Sequence, residues 1–287
     1  MKFKSFAAVV ALVVLSAGLA CPYGATRAAG ADDAEVALDR GLAHAGKGRY
    51  AEAVAQFSKA IALRADFAEA HYNRGLAHFL RNQPDQAIAD FTRTIALRPE
   101  FPEVYDSRGS AYFQKRRYEE AIADYTKAIA LRPDYAQAYY NRGNAHRQAE
   151  HPDQAIADFS KAIALRPGFA DAYNNRGFAH YRKGAYTEAI VDYNKAIALN
   201  PKDPDAYNNR GLVYDNKGQY DRAIADFSRA VALRPRHAEA YNNRARVWLK
   251  KKNYNRAWED VGRCRRAGGT PAPDLLVALR KASGRRG

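Results

Sequence analysis

One arginine recurs along this chain directly before a small residue: Arg40, Arg74, Arg108, Arg142, Arg176, Arg210 and Arg244. Sixteen residues further on stands an acid: Asp90, Asp124, Asp158, Asp192, Asp226 and Asp260, with Gln56 taking that slot after Arg40. Both series sit beside apolar positions. A half-buried guanidinium without an anion is costly, whereas a bidentate Arg–Asp pair is satisfied. The spacing therefore predicts structural ion pairs involving Arg74, Asp90, Arg142, Asp158, Arg176, Asp192, Arg210 and Asp226, within one unit or between neighbours, so that Arg176 has Asp192 or Asp158. Such pairs fix register more than they add stability. The other chemistry open to the arginines is capture of an anionic ligand.

Ahead of these arginines lies a second polar series, Asn73, Asn141, Asn175, Asn209 and Asn243, interrupted by Asp39 and Ser107. A carboxamide offers both a donor and an acceptor, so it suits the backbone of an extended peptide; it is equally a tolerated surface residue. His44, His78, His146 and His180 fall one per repeat in a shared slot, which keeps them from converging on one metal or nucleophile. No phosphate loop, metal-ligand cluster or nucleophile elbow is present in the sequence. No catalytic residue, metal or cofactor is expected, and the chain reads as a non-enzyme.

The elements that carry these residues follow from the interval. Gly41, Gly75, Gly109, Gly143, Gly177 and Gly211 step by 34 residues, and Ala245 takes the next place. A fixed period of this length overrides ordinary domain counting. Apolar and small residues recur at helical steps, as at Tyr173, Gly177 and His180, then Ala189, Ile190, Tyr193, Ala196 and Ile197. Gly184 separates those two helices and Pro201 follows the second. Pro84 and Pro152, each followed by Asp, open second helices at a position where proline is favoured and an acid meets the positive helix end.

An alanine twelve residues after the glycine (Ala87, Ala121, Ala155, Ala189, Ala223), an aromatic four further on (Phe91, Tyr125, Phe159, Tyr193, Phe227) and a closing proline (Pro99, Pro133, Pro167, Pro201, Pro235) resemble tetratricopeptide repeats. The resemblance covers about five-sixths of the chain, in phase. It implies an all-α, right-handed superhelical solenoid of seven helix pairs, with first helices lining a concave groove. The units are 34–67, 68–101, 102–135, 136–169, 170–203, 204–237 and 238–271. The end units depart from the pattern, as a stack that must stop requires. Residues 272–287 read as a capping helix, Asp274 to Ser283, and a basic tail.

A stripe on the first helices varies while the scaffold slots hold: Tyr72, Asn73, Leu76, Phe79; Asp106, Ser107, Ser110, Phe113; Tyr140, Asn141, Asn144, Arg147; Asn174, Asn175, Phe178, Tyr181; Asn208, Asn209, Leu212, Asp215. From it Tyr72, Asn73, Phe79, Phe113, Tyr140, Asn141, Asn144, Arg147, Asn175, Phe178, Tyr181 and Asn209 are expected to bind a protein or peptide. The Asn slots are similar to the asparagine ladder in the repeat region of O-linked N-acetylglucosamine transferase; nothing here resembles that enzyme's catalytic region. Glu35, Glu69, Glu103, Asp171, Asp205 and Glu239 read as first-turn acids, or as a rim for cationic partners.

Lys2 and Lys4 precede an apolar run, Phe6 to Ala20, in the outline of a secretory signal peptide over residues 1–31. The array is then exported, periplasmic or secreted; an uncleaved anchor or lipidation at Cys21 are the alternatives. The net charge of +15 is uneven: residues 244–287 hold 13 Lys and Arg against Glu259, Asp260 and Asp274. That basic end is available to dock on an anionic surface, or is a solvated cap. Nucleic acid is disfavoured by the export signal. Two functions emerge: a non-catalytic scaffold that binds an extended segment in its groove, or an envelope assembly factor that docks through the basic end.

Overall fold

The computed structural model describes residues 29–284, with side chains from Asp33 onward. Residues 1–28 of the expected leader and Arg285-Arg286 lie outside the described residues. The chain divides into two compact units, one up to Ala149 and one from Glu150. The first holds α1 (Ala29–Gly46), α2 (Tyr50–Leu63), α3 (Ala68–Leu80), α4 (Pro84–Leu97), α5 (Pro102–Gln114), α6 (Tyr118–Leu131) and α7 (Ala136–Gln148). The second holds α8 (Pro152–Leu165), α9 (Ala170–Arg182), α10 (Tyr186–Leu199), α11 (Pro204–Asn216), α12 (Tyr220–Leu233), α13 (Ala238–Lys250), α14 (Tyr254–Arg266) and α15 (Pro273–Ser283). Among the described residues there is no strand. In each unit every helix packs on the next in sequence, and first helices touch the first helices of neighbouring repeats. The fold class is an all-α superhelical repeat.

The turn inside each helix pair is set by one left-handed residue, which ends the first helix by turning its last carbonyls to new donors. Gly48, Gly184 and Gly218 occupy that slot with positive φ, and so do Asn82, Arg116, Glu150 and Lys252. In one example Gly184 N–H donates to Tyr181 O and Ala185 N–H to His180 O, both at 2.9 Å. Between pairs, the extended residue ahead of the closing proline, such as Arg98 before Pro99, stops the second helix.

The periodic glycine is explained by the ring that lies on it. A Cβ at Gly75 would stand 2.7 Å from Phe91 Cε1, at Gly109 2.9 Å from Tyr125 and at Gly211 2.7 Å from Phe227. These contacts are closer than carbon packing allows, so only glycine lets a fully buried ring seat against the first helix. The last pair reverses both choices together: Ala245 replaces the glycine and the smaller Val261 replaces the ring. Helix α15 then closes the second unit, burying Leu275 and Leu279 against Ala245, Ala257 and Val261, while Trp258 Nε1 donates to Ser283 Oγ at 3.0 Å.

Candidate functional site

The arginine series is turned into the scaffold. Arg74 donates through Nε and Nη2 to Asp90 at 3.0 and 2.7 Å, and Arg108 to Asp124 at 2.8 Å in both bonds. In the second unit Arg176 pairs with Asp192 at 2.9 and 2.7 Å, Arg210 with Asp226 at 2.8 and 2.7 Å, and Arg244 with Asp260 at 2.7 Å twice. The acid is that of the same repeat. The preceding repeat supplies something else: Nη1 donates to Ser58, Thr92, Thr126, Ser160, Asn194 or Ser228, sixteen residues upstream. The guanidiniums of Arg74, Arg108, Arg176, Arg210 and Arg244 therefore each tie two successive second helices to one first helix. The carboxylate bond holds the Arg108 and Arg176 guanidiniums above their ordinary value, against the cost of burial. Arg142 closes the first unit with its bond to Thr126, and Asp158 is buried in the second. Arg40, in the repeat with Gln56, is exposed.

The stripe expected to face a ligand separates into a seam and an open wall. In the seam, the residue three before one glycine meets the residue two before the next. Tyr72 OH lies 3.4 Å from Ser107 Oγ, Asn141 Nδ2 donates to Asp106 Oδ1 at 2.9 Å, Asn209 Nδ2 to Asn174 Oδ1 at 3.1 Å and Asn243 Nδ2 to Asn208 Oδ1 at 3.0 Å. Gln137 donates to the Asn141 carbonyl oxygen at 3.0 Å, so both ends of that carboxamide are used. Tyr72, Asn141 and Asn175 are buried rather than presented. Tyr72 packs edge-on to Phe101 with centroids 5.0 Å apart, and Asn141, Asn209 and Asn243 form rungs between neighbouring first helices. Asn73 turns its amide to the Glu69 carbonyl at 2.8 Å. The sequence signal for the seam was the polar residue three before the glycine at Asp106, Asn174 and Asn208, opposite the Asn series.

Asp106 is the odd member of the seam. Its carboxylate is buried, with Asn141 as its hydrogen-bond donor, and desolvation raises it from an ordinary 3.8 to about 7; Glu103 adds to the rise, while the Asn141 bond and Arg132 oppose it. Tyr125, Tyr72 and Tyr135 nearby are pushed up too, first by burial.

Each unit presents an open wall of its own: the half-buried Phe79, Phe113, Tyr140, Asn144 and Arg147 in the first, and Phe178 and Tyr181 in the second, where Asn209 belongs to the seam. Phe113 stands edge-on to Tyr118 with centroids 5.4 Å apart, and Tyr181 lies between Phe178 and Tyr186 at 6.3 and 6.0 Å. A second rung steadies this wall: Asn216 Nδ2 donates to Tyr181 OH at 2.8 Å and Lys250 Nζ to Asp215 at 2.7 Å. Burial holds the Arg147 guanidinium below its ordinary value.

The first-turn acids are paired with arginines that end the second helix of the same repeat. Glu35 meets Arg64 at 3.8 Å, Glu69 meets Arg98 at 2.6 Å, Glu103 meets Arg132, and Asp205 meets Arg234 at 2.9 Å. His237 and Arg234 together hold the Asp205 carboxyl well below the usual range. An acidic rim is thus largely neutralised. His78 bonds Gln83 at 2.9 Å, and His180 lies 3.9 Å from Asp192 with its imidazole lowered by burial. Among the described residues no cluster of His, Cys, Asp and Glu is arranged to hold a metal. Cys264 is buried, with its thiol raised by that burial. No described helix is long and apolar enough to cross a membrane.

Comparison with known proteins agrees with this geometry. The family model described as TPR repeat matches residues 41–81, 109–149 and 179–218, and the model described as tetratricopeptide repeat matches 68–101, 136–169 and 204–237. The chain belongs to the tetratricopeptide repeat family. No curated protein matched it. Among solved structures it is similar to MamA, with 30% identity and a TM-score of 0.54 over 56% of this chain and 95% of that one. A tetratricopeptide repeat protein from Parabacteroides merdae aligns over 88% of this chain and 100% of its own, with a TM-score of 0.68 at 20% identity. YrrB, a TPR protein with an unusual peptide-binding site, aligns over 64% of this chain and 95% of its own, with a TM-score of 0.55 at 23% identity. At those identities the last two speak for the fold.

Proposed function

We propose that this chain is a non-catalytic interaction scaffold in which the first-helix wall of each unit, taken by itself, captures an extended segment of another protein. One observation carries the reading: Phe79, Phe113, Phe178 and Tyr181 are held half-exposed on first helices, while the arginines and the seam amides beside them are consumed by the scaffold. Rigid, partly exposed aromatic groups among polar neighbours are what recognition surfaces present, at little conformational cost. The family is one of protein-binding repeats, and YrrB is described with a peptide-binding site. The leader expected from residues 1–31 supports a reading in which this capture takes place outside the cytoplasm.

Docking through the basic C-terminal end is the second reading, and ion pairing weakens it. Arg246, Lys250 and Lys251 are engaged by Asp274, Asp215 and Asp221, and Arg263 lies near Glu259 and Asp260. The test is selection of binders from a displayed library of unstructured peptides. Wild-type protein is expected to enrich aromatic- or aliphatic-bearing peptides, and the Phe178→Ala/Tyr181→Ala variant to bind them at least tenfold more weakly with unchanged helicity. Retained binding by that variant would end the proposal.

A further inference from the structure

The two preceding ion-pair series absorb most of the arginines before the glycines and most of those ending the second helices. A third cationic series has no such sink. Eighteen residues after each glycine stand Lys59, Arg93 and Lys127 in the first unit and Lys161, Lys195 and Arg229 in the second, all exposed. Among the described residues none of the six forms an ion pair; Arg229 alone has a ring nearby, Tyr207 at 6.0 Å. Only in the last pair does that slot, Arg263, meet acids, at 3.4 and 3.8 Å from Asp260 and Glu259.

The surroundings of the six explain why. On a helix, residues three and four apart share a face. Three before Arg93, Lys127, Lys195 and Arg229 the acid is the buried Asp already held by an arginine. Four before and three after, the residue is an exposed Ala, save Val191, which is 62% exposed. Four after, it is always Leu, of which Leu63 and Leu199 are 47% and 38% exposed. Among the described residues, three of the five exposed large hydrophobic residues thus lie one turn from a row cation. The nearest other acids in the first turns of α2, α6 and α10, Glu52, Glu120 and Glu188, are two turns back, and Glu120 is engaged by Arg117 at 2.7 Å.

We propose that the outer face of the second helices, in each unit by itself, is a docking surface for anionic phospholipid. Charge complementarity supplies the attraction, and the exposed leucine and valine beside the cations fit the boundary between headgroups and acyl chains, where a purely polymeric anion offers nothing apolar to meet. The small alanines let the lysine and arginine stems lie flat on that boundary with their charges outward. This goes beyond partner capture: the wall of the first helices and the back of the second helices are different surfaces, so a scaffold held on a membrane keeps its wall free.

Co-sedimentation of the full chain with vesicles of phosphatidylcholine containing phosphatidylglycerol tests it, with polyphosphate as the competing soluble polyanion. Each row cation is expected to raise partitioning about fivefold. Lys161→Gln/Lys195→Gln/Arg229→Gln should therefore lower it about a hundredfold, Val191→Ser/Leu199→Ser several-fold, and Arg265→Gln/Arg266→Gln hardly at all, with unchanged helicity throughout. Added salt should weaken wild-type binding. Wild-type protein that ignores the anionic vesicles, a row variant that binds like wild type, or equal losses from the row and the Arg265/Arg266 variants would each overturn the proposal. So would binding of polyphosphate through the row without binding of vesicles, which would point to a linear polyanion.

Discussion

Asp106 and Asp124 sit in one repeat and are buried almost equally, 7% and 6% exposed. Their surroundings differ. Asp124 lies inside the helix pair and receives two bonds from Arg108, while Asp106 lies in the seam between first helices, where Asn141 donates a single uncharged amide. Burial is the same expense in both places, and only a guanidinium offsets it for the ionised form. So the Asp106 carboxyl rises to about 7. In the second unit the same seam is built with Asn174 and Asn208, which accept the same kind of bond without carrying charge. The contrast shows that the interior of the pair is an ionic joint, whereas the seam needs only a hydrogen-bond acceptor.

Removing the cation attacks the comparison most strongly. Arg108→Ala strands Asp124 and releases Thr92, and should cost about 3 kcal/mol or more in stability, read from the shift of a urea midpoint. A cost below that of an ordinary surface change would show that the joint is not ionic.

The seam responds in the opposite sense. Because the Asp106 value when folded lies above its ordinary 3.8, folding favours the protonated acid. Its stabilising contribution is complete below the unfolded value and is lost as pH rises through about 7. Asp106→Asn keeps the acceptor for Asn141 and should raise stability at pH 8 by about 2 kcal/mol, with the gain vanishing near pH 4. Thermal melts of both proteins across that range check it; a gain independent of pH would mean that Asp106 ionisation is not the cause. The smallest effect belongs to Arg40, exposed in the repeat that carries Gln56 in place of the acid. Arg40→Ala should stay within about 0.5 kcal/mol of wild type in the same urea titration.

Much of the fold could be read before any coordinates. The interval between Gly41 and Ala245 defined the pairs, Gly184 marked the turn of one of them, and Leu275 with Leu279 announced the cap, whereas the left-handed residues Asn82, Arg116, Glu150 and Lys252 carried no such signal. The arginine–aspartate spacing was equally plain, yet it left two acids open to each arginine, as Asp192 sixteen residues downstream and Asp158 eighteen upstream for Arg176. The Asn series was visible as a pattern but its direction was not. Asn141, Asn175 and Tyr72 lie on the same helical stripe as Phe178 and Tyr181, and a stripe does not say where the neighbouring helix crosses it.

The sequence by itself determined the period, the helices, the need for glycine under a ring and the supply of one cation and one acid per repeat, because these follow from residue size, helical spacing and charge within a single unit. Tertiary structure decided which groups spend their hydrogen bonds sideways, which acid each arginine takes and which cations are left over. Those outcomes depend on distances between helices in successive repeats, and no spacing along the chain contains them.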